Sequence, residues 1–106
     1  MSEVKQLYQQ AFSAFAEGDY ARAISLYQKV LEADPGFALG YQGLAEAYGR
    51  SDQLDRAIES IREAIRLEPE ESLYHTSLSR FLQRQGRIPE AEEAAAIASQ
   101  LQQRGL

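Results

Sequence analysis

The sequence predicts an all-α fold, an α-α superhelix (solenoid) of three helix-turn-helix repeats with six helices. The segment "GDYARAISLYQKVLEADP", which ends at Pro35, returns 34 residues later as "DQLDRAIESIREAIRLEP", which ends at Pro69. Within both segments the apolar residues fall three or four apart, and this spacing places them on one face of a helix. Strands are not indicated. The period and the spacing together therefore favour a stack of equal helical hairpins.

The copies align without a gap as residues 4–37, 38–71 and 72–105 of a single domain, 1–106. Two columns of the alignment hold equivalent small or turn-forming residues: Ala23, Ala57 and Ala91 in one, and Gly18, Asp52 and Gly86 in the other. Only five positions are identical between the first two copies, so the shape is repeated more than the sequence. An alanine column is expected where two helices cross within about 8–10 Å.

Each copy divides into two helices and a turn. In the middle copy the segment "GRSDQ" separates two apolar stripes, made of Tyr41, Leu44, Ala45 and Tyr48 and then of Leu54, Ala57, Ile58, Ile61, Ala64 and Ile65. Pro35 and Pro69 end helices because proline has no N–H group and restricts the residue before it. Pro89 falls where the last helix begins, a position that tolerates proline. Asp52 and Arg56 have the spacing of a helix-stabilising ion pair.

Composition excludes several classes of function. A net charge of −5 and a pI near 4.8 disfavour binding to nucleic acid or to anionic membranes, since both depend on an excess of Lys and Arg. The absence of cysteine excludes disulfides and thiolate chemistry. The sequence has no apolar run of about 20 residues that would span a membrane and no leader-like start. We therefore expect a soluble, cytoplasmic protein.

No pattern of catalytic or metal-binding residues is present. His75 is the only histidine, and we interpret it as a packed core residue. A metal site needs further nitrogen or thiolate ligands, which the chain lacks. The glycines of "PGFALGYQG" match neither the dinucleotide-binding pattern nor the P-loop. The sequence therefore predicts no enzyme activity, no catalytic residue, no metal and no cofactor.

The chain resembles the tetratricopeptide repeat family over residues 4–105. The middle copy holds the signature residues of that family in order: Tyr41, Leu44, Ala45, Tyr48, Ala57, Ile61, Ala64 and Pro69. The resemblance implies that the first helix of each copy lines a concave groove, while the second helix faces outward. It also implies that the groove holds a peptide or a partner helix.

The same resemblance assigns groove positions in all three copies: Lys5, Tyr8, Phe12, Phe15, Ala16, Leu39, Gln42, Glu46, Gly49, Arg50, Leu73, Thr76, Arg80, Gln83 and Arg84. An apolar strip (Tyr8, Phe12, Leu39, Leu73) is expected beside a basic cluster (Arg50, Arg80, Arg84). This surface suits an extended segment with apolar anchors and some acidic residues. The alternative is that the aromatic residues, with Phe15, pack against a neighbouring helix and that the arginines are solvated surface.

One subfamily grips the C-terminal carboxylate of chaperone tails with Lys, Asn and Arg at fixed groove places. In this chain those places hold Tyr8, Phe12, Gly43, Leu73 and Ser77. The resemblance therefore implies that no such carboxylate clamp is present, and binding of a chaperone tail is not expected.

The resulting prediction is a non-catalytic protein-protein interaction or scaffold module. One alternative is a regulatory or substrate-docking fragment of a larger multidomain protein, including an enzyme. Another is a small self-assembling structural protein, because the last segment, "PEAEEAAAIASQLQQRGL", leaves Ile97, Leu101 and Leu106 without an element to cover them. Self-association through these residues would give a homo-oligomer.

Overall fold

A computed structural model describes residues 2–105 and places them in six helices. The helices are α1 (Glu3–Ala16), α2 (Tyr20–Ala33), α3 (Ala38–Arg50), α4 (Leu54–Leu67), α5 (Ser72–Arg84) and α6 (Ile88–Arg104). The predicted all-α solenoid of helical hairpins is confirmed, and no strand occurs among the described residues. Leu106, one of the residues predicted for self-association, lies outside them. No helix in this part of the chain is long and apolar enough to cross a membrane.

Local sequence explains where the helices of the first hairpin begin. The Ser2 hydroxyl accepts a hydrogen bond from the Lys5 N–H group at 3.1 Å, and the Asp19 carboxylate accepts one from the Arg22 N–H group at 3.2 Å. Both side chains satisfy a donor that has no partner inside the helix. Pro89 stands in the first turn of α6, as the sequence predicts.

The turn inside each hairpin uses the same backbone conformation. Gly18, Asp52 and Gly86 have φ angles of +82°, +63° and +78°, all in the left-handed region. Glycine adopts this region without steric cost, and aspartate is one of the few other residues that tolerate it. The aligned column therefore reflects a backbone requirement, and in the middle repeat it places a carboxylate at the corner between α3 and α4.

Glycines let the central helix α3 pack closely on both sides. A Cβ atom added to Gly43 would lie 2.4 Å from ring carbons of Tyr27 in α2, and one added to Gly49 would lie 2.7 Å from the Phe81 ring in α5. Tyr27 and Phe81 are both buried. The first and third hairpins thus each insert an aromatic ring against the backbone of the second.

The stack is curved. Helix α1 contacts α3 and α3 contacts α5, whereas α2, α4 and α6 make no contact with one another in the described structure. The first helices of the hairpins are therefore closer together than the second helices. The concave side of the stack is formed by α1, α3 and α5, and clefts open between the second helices on the convex side.

The stacking face of the last hairpin differs from the equivalent faces inside the stack. Tyr27 and Ile61 are buried where they meet the next hairpin, but the equivalent residue in α6 is Ala95. Likewise, Ser99 stands in the column of Leu31 and Ile65. These replacements by small and polar residues make the face a poor surface for packing a further hairpin of the same kind.

Candidate functional site

Each of the three inner helices exposes one large apolar side chain. The exposed fractions are 57 % for Phe12, 42 % for Leu39 and 47 % for Leu73. Leu39 lies seven residues before Glu46, and Leu73 lies seven residues before Arg80. A spacing of seven residues is close to two helical turns and places both residues on one face. The apolar residues therefore share their helix faces with the charged residues that connect α3 to α5.

Tyr8 and Phe15 are packed rather than free. The Tyr8 ring meets the rings of Tyr27 and Phe37 edge to face, with centroid distances of 5.9 and 5.3 Å. Burial raises the pKa of the Tyr8 phenol above its usual value. The Phe15 ring packs against Tyr20 at 5.4 Å. Tyr8 and Phe15 therefore pack against neighbouring rings, as the alternative interpretation of the sequence expected, whereas Phe12 is exposed to solvent.

Arg80 bridges the second and third repeats. Its Nη1 and Nη2 atoms donate to Oε1 and Oε2 of Glu46 at 3.1 and 2.8 Å. The Ser77 hydroxyl donates to Oε2 of the same carboxylate at 3.1 Å. The Glu46 side chain is only 18 % exposed. A forked pair of this kind fixes the geometry of both groups, and it stabilises the pair more than a single contact would.

Arg84 makes a second bridge between the same repeats. Its Nη1 atom donates to the carbonyl oxygen of Gly49 at 3.0 Å, and its Nη2 atom donates to Oδ1 of Asp52 at 3.1 Å. Gly49 lies in the last turn of α3, where a positive charge is favourable for the helix dipole. Asp52 lies before the first residue of α4, which explains why it bonds to Arg84 rather than to Arg56 as the sequence suggested.

Arg50 has no carboxylate partner among residues 2–105. Its Nη1 atom donates to the Tyr20 hydroxyl at 3.4 Å, and its guanidinium carbon lies 5.4 Å from the centroid of the Phe15 ring. The basic cluster expected from the sequence therefore contains two arginines that are neutralised by the preceding repeat and one that is not.

The other groove positions line the same side, and among residues 2–105 only Gly49 of these bonds to another repeat, through the carbonyl oxygen that accepts from Arg84. Lys5, Ala16, Thr76 and Gln83 are exposed, Gln42 is half-buried, and Gly49 is covered by Phe81. Glu46 was predicted as a groove residue but not as the partner of Arg80, and Asp52 was paired with Arg56 rather than with Arg84. The separation of 34 residues between Glu46 and Arg80, one repeat, was the available signal.

His75 is buried, which confirms its interpretation as a packed residue. Its Nε2 atom lies 2.9 Å from the carbonyl oxygen of Pro69, which only accepts hydrogen bonds, so Nε2 carries the proton. Ile97 is exposed and Leu101 is half-buried on α6. Within residues 2–105 no three His, Cys, Asp or Glu side chains are grouped so that they could hold a metal ion.

A curated relative of this chain is a much longer protein. Small glutamine-rich tetratricopeptide repeat-containing protein 2 from Mycosarcoma maydis is 29 % identical over 94 residues. The match covers 89 % of this chain but only 27 % of that protein. This chain therefore spans about a quarter of the relative's length.

Solved structures share the fold over almost the whole chain. The type III secretion translocator chaperone SycD of Yersinia enterocolitica, in complex with a peptide of the translocator YopD, matches with a TM-score of 0.91 and 25 % identity, covering 95 % of this chain and 78 % of that one. The second TPR of Spaghetti (RPAP3), bound to the HSP90 peptide SRMEEVD, has a TM-score of 0.90 and 24 % identity, covering 94 % and 93 %. The family model for the tetratricopeptide repeat matches residues 14–81. The chain belongs to the tetratricopeptide repeat family.

Proposed function

We propose that the chain is a non-catalytic protein-interaction module that binds an extended peptide or a partner helix along the concave groove, the side formed by α1, α3 and α5. The observation that carries the proposal is the exposure of Phe12, Leu39 and Leu73, one from each repeat. Large apolar side chains that share a concave surface are typical of binding sites, because their burial by a partner releases water.

The partner's chemistry follows from which charges are already paired. Arg80 is held by the half-buried Glu46, and its guanidinium has little capacity for another carboxylate. The bond from Arg84 to Asp52 is exposed on both sides, and exposed pairs of this kind contribute only about 0–1 kcal/mol. Arg50 has no acidic partner in the described chain. We infer a segment with spaced apolar anchors and an acidic residue near the C-terminal ends of α3 and α5.

The comparisons support this proposal at the level of the fold. SycD, which is 25 % identical to this chain, has been solved with a peptide of YopD. A second proposal is favoured by the relative from Mycosarcoma maydis, of which this chain matches only 27 %. In that case the groove would serve as the docking or regulatory part of a longer protein, with the same surface in contact with the partner.

Selection from a random peptide library tests the groove directly. We would compare wild type with the variant Phe12→Ser/Leu39→Ser/Leu73→Ser, whose three sites are exposed and tolerate polar residues. Ile97→Ser is the matched control, because Ile97 is an exposed apolar residue on the convex side. Binding is measured with free monovalent peptides in solution.

Enriched peptides should carry spaced apolar residues, and the triple variant should weaken their binding by about tenfold or more, the usual effect of removing anchor contacts. The Ile97→Ser variant should bind them as the wild type does. If no peptide is enriched, or if the triple variant binds the enriched peptides as well as the wild type does, the proposal is wrong.

A further inference from the structure

The convex side carries a second candidate interface. An open cleft of about 440 Å³ lies between α4 and α6, above α5. Besides charged residues, the cleft is lined by five aliphatic side chains and one imidazole from all three helices: Ile65, His75, Leu78, Leu82, Ala94 and Ile97. We call this the outer cleft. Ile97 projects from its α6 side with 36 % of its surface exposed.

The equivalent cleft one repeat earlier is also open, with a volume of about 430 Å³, but more of its lining side chains are polar. Its central ring is Tyr48, which accepts a hydrogen bond from the Gln28 side chain at 3.2 Å and lies 5.9 Å below the guanidinium carbon of Arg56. The cleft is also lined by Ser60 and Glu63. Tyr41 and Leu44 contribute apolar surface to this cleft, but its rim carries Arg56, Glu59 and Glu63.

One repeat later, three of the five polar positions that line this earlier cleft have become aliphatic. Leu82 stands in the place of Tyr48, Ala94 in the place of Ser60, and Ile97 in the place of Glu63. Because the backbone is repeated, the two clefts differ in chemistry rather than in shape. Leu82 and Ala94 are buried at the floor of the outer cleft, so Ile97 is the one of these three side chains that is exposed to a partner.

The two rims of the outer cleft carry opposite charges. Arg62 and Arg66 line it from α4, and Glu90 and Glu93 line it from α6. Arg66 is paired with Glu63 and Glu90 with Arg87. Arg62 and Glu93 make no ion pair with any other described residue. The cleft thus has one unpaired basic group on its α4 side and one unpaired acidic group on its α6 side.

We propose that the outer cleft binds the outer cleft of a second copy, with a two-fold axis running along the cleft. Rotation about this axis places the α4 rim of one copy against the α6 rim of the other. Arg62 then faces the partner's Glu93, and Ile97 meets the partner's Ile65. A two-fold axis across the helices would instead set arginines against arginines. The distribution of charge selects the first arrangement.

Head-to-tail association through the stacking face is a poor alternative. The last hairpin presents Ala95 and Ser99 where the inner hairpins present large apolar residues. The proposed dimer also leaves both concave grooves open, because α5 separates the groove from the outer cleft. Each dimer would then carry two grooves, and a partner with two binding segments would gain avidity. The dimer itself does not depend on the proposed groove function.

Sedimentation equilibrium of the whole 106-residue chain, from about 5 to 500 µM, tests the proposal in the concentration range of a modest interface. The wild type should be in monomer-dimer equilibrium. Arg62→Glu and Glu93→Arg should each weaken the dimer by about tenfold or more, because each places like charges opposite one another. Glu59→Arg is the matched control, since Glu59 holds the position of Glu93 in the preceding repeat, and it should not change the equilibrium.

A mixture of the two reversed variants gives the sharpest result. Arg62→Glu and Glu93→Arg should form a heterodimer with each other, since both facing pairs are then of opposite charge. Ile97→Lys should be monomeric, with an unchanged helical circular dichroism spectrum. A wild type that is monomeric at every concentration overturns the proposal, as does a dimer that is insensitive to both charge reversals or a mixture no tighter than either variant alone.

Discussion

Arg80 and Glu46 stand 34 residues apart and join through two hydrogen bonds of 3.1 and 2.8 Å, so that the same position in two consecutive repeats forms an ion pair. The pair crosses the concave side of the stack between α3 and α5. It ties the second repeat to the third at the place where a bound segment would lie. One arginine of the groove, Arg80, is therefore already paired with a carboxylate of the same chain, that of Glu46.

Removing Arg80 should loosen the contact between these repeats. We expect Arg80→Ala to lower the free energy of unfolding by about 1 kcal/mol, a modest value because the arginine is half exposed. Urea denaturation measures the change. A double-mutant cycle with Glu46→Ala should return a coupling energy of similar size.

Arg66→Ala is the control for this prediction. Arg66 pairs with Glu63 three residues away on the same helix, and both side chains are well exposed. The free energy of unfolding of Arg66→Ala should be within about 0.5 kcal/mol of that of the wild type. A loss in Arg66→Ala as large as that in Arg80→Ala would show that the bridge between repeats has no special weight.

Gly43 should not tolerate a larger side chain. In Gly43→Ala the added Cβ atom would lie 2.4 Å from ring carbons of Tyr27, a side chain that is only 2 % exposed, so the ring or the helix must shift. We expect a net loss of about 1–2 kcal/mol from overpacking, although alanine is favoured over glycine in a helix by about 1 kcal/mol. Thermal unfolding measures it.

Gly36→Ala serves as the comparison. A Cβ atom at Gly36 would have an ordinary contact of 3.7 Å with Asp34. Its stability should stay within about 0.5 kcal/mol of wild type. Equal stability of Gly43→Ala and wild type would contradict the close approach of α2 and α3.

Stability should fall at alkaline pH because of buried tyrosines. Burial, with a smaller contribution from Tyr8, raises the pKa of the Tyr27 phenol to about 12, above its ordinary value of about 10. The unfolded chain ionises first, so this contribution is complete below pH 10 and is lost as the pH rises towards 12. One such group changes the free energy of unfolding by at most about 1.4 kcal/mol per pH unit.

Urea denaturation between pH 9 and 11.5 checks this dependence, at pH values that bracket the ordinary tyrosine pKa of about 10. Tyr27→Phe should reduce the slope. Tyr74, whose pKa is raised by burial and by Glu68, should account for part of what remains. An identical slope in wild type and Tyr27→Phe would contradict the burial of the Tyr27 hydroxyl.

Groove ligands should not depend on a free C-terminal carboxylate. Gly43 and Ser77 stand at two of the places where a carboxylate clamp has polar or basic side chains, and in this structure both are buried. Library-selected peptides with a free or an amidated C-terminus should therefore bind within about threefold of each other, a difference of less than 1 kcal/mol. Isothermal titration measures both forms. A loss of tenfold or more on amidation would reveal a clamp.

The fold was readable from the sequence because its information is periodic. The column of Gly18, Asp52 and Gly86 corresponds to one backbone conformation at three turns, and a repeat of 34 residues preserves it. Contacts between side chains were harder to predict from the sequence. Asp52 was paired with Arg56 from its spacing along the chain, but its left-handed φ angle places it before α4, within reach of Arg84.

The candidate groove shows the same limit. The repeat register predicts which residues lie on α1, α3 and α5, but burial depends on how neighbouring rings fill space. Tyr8 and Phe12 are four residues apart on α1, yet Tyr8 packs against Phe37 while Phe12 is exposed. The difference arises from the α2–α3 connection. Phe37 of this connection packs against Tyr8, whereas Phe12 remains exposed.

The most direct test of the central claim is amide chemical-shift mapping of the ¹⁵N-labelled chain during titration with a library-selected peptide. If the peptide binds in the concave groove, the largest chemical-shift changes should fall in α1, α3 and α5, around Phe12, Leu39 and Leu73. Shifts confined to α2, α4 and α6 would contradict it.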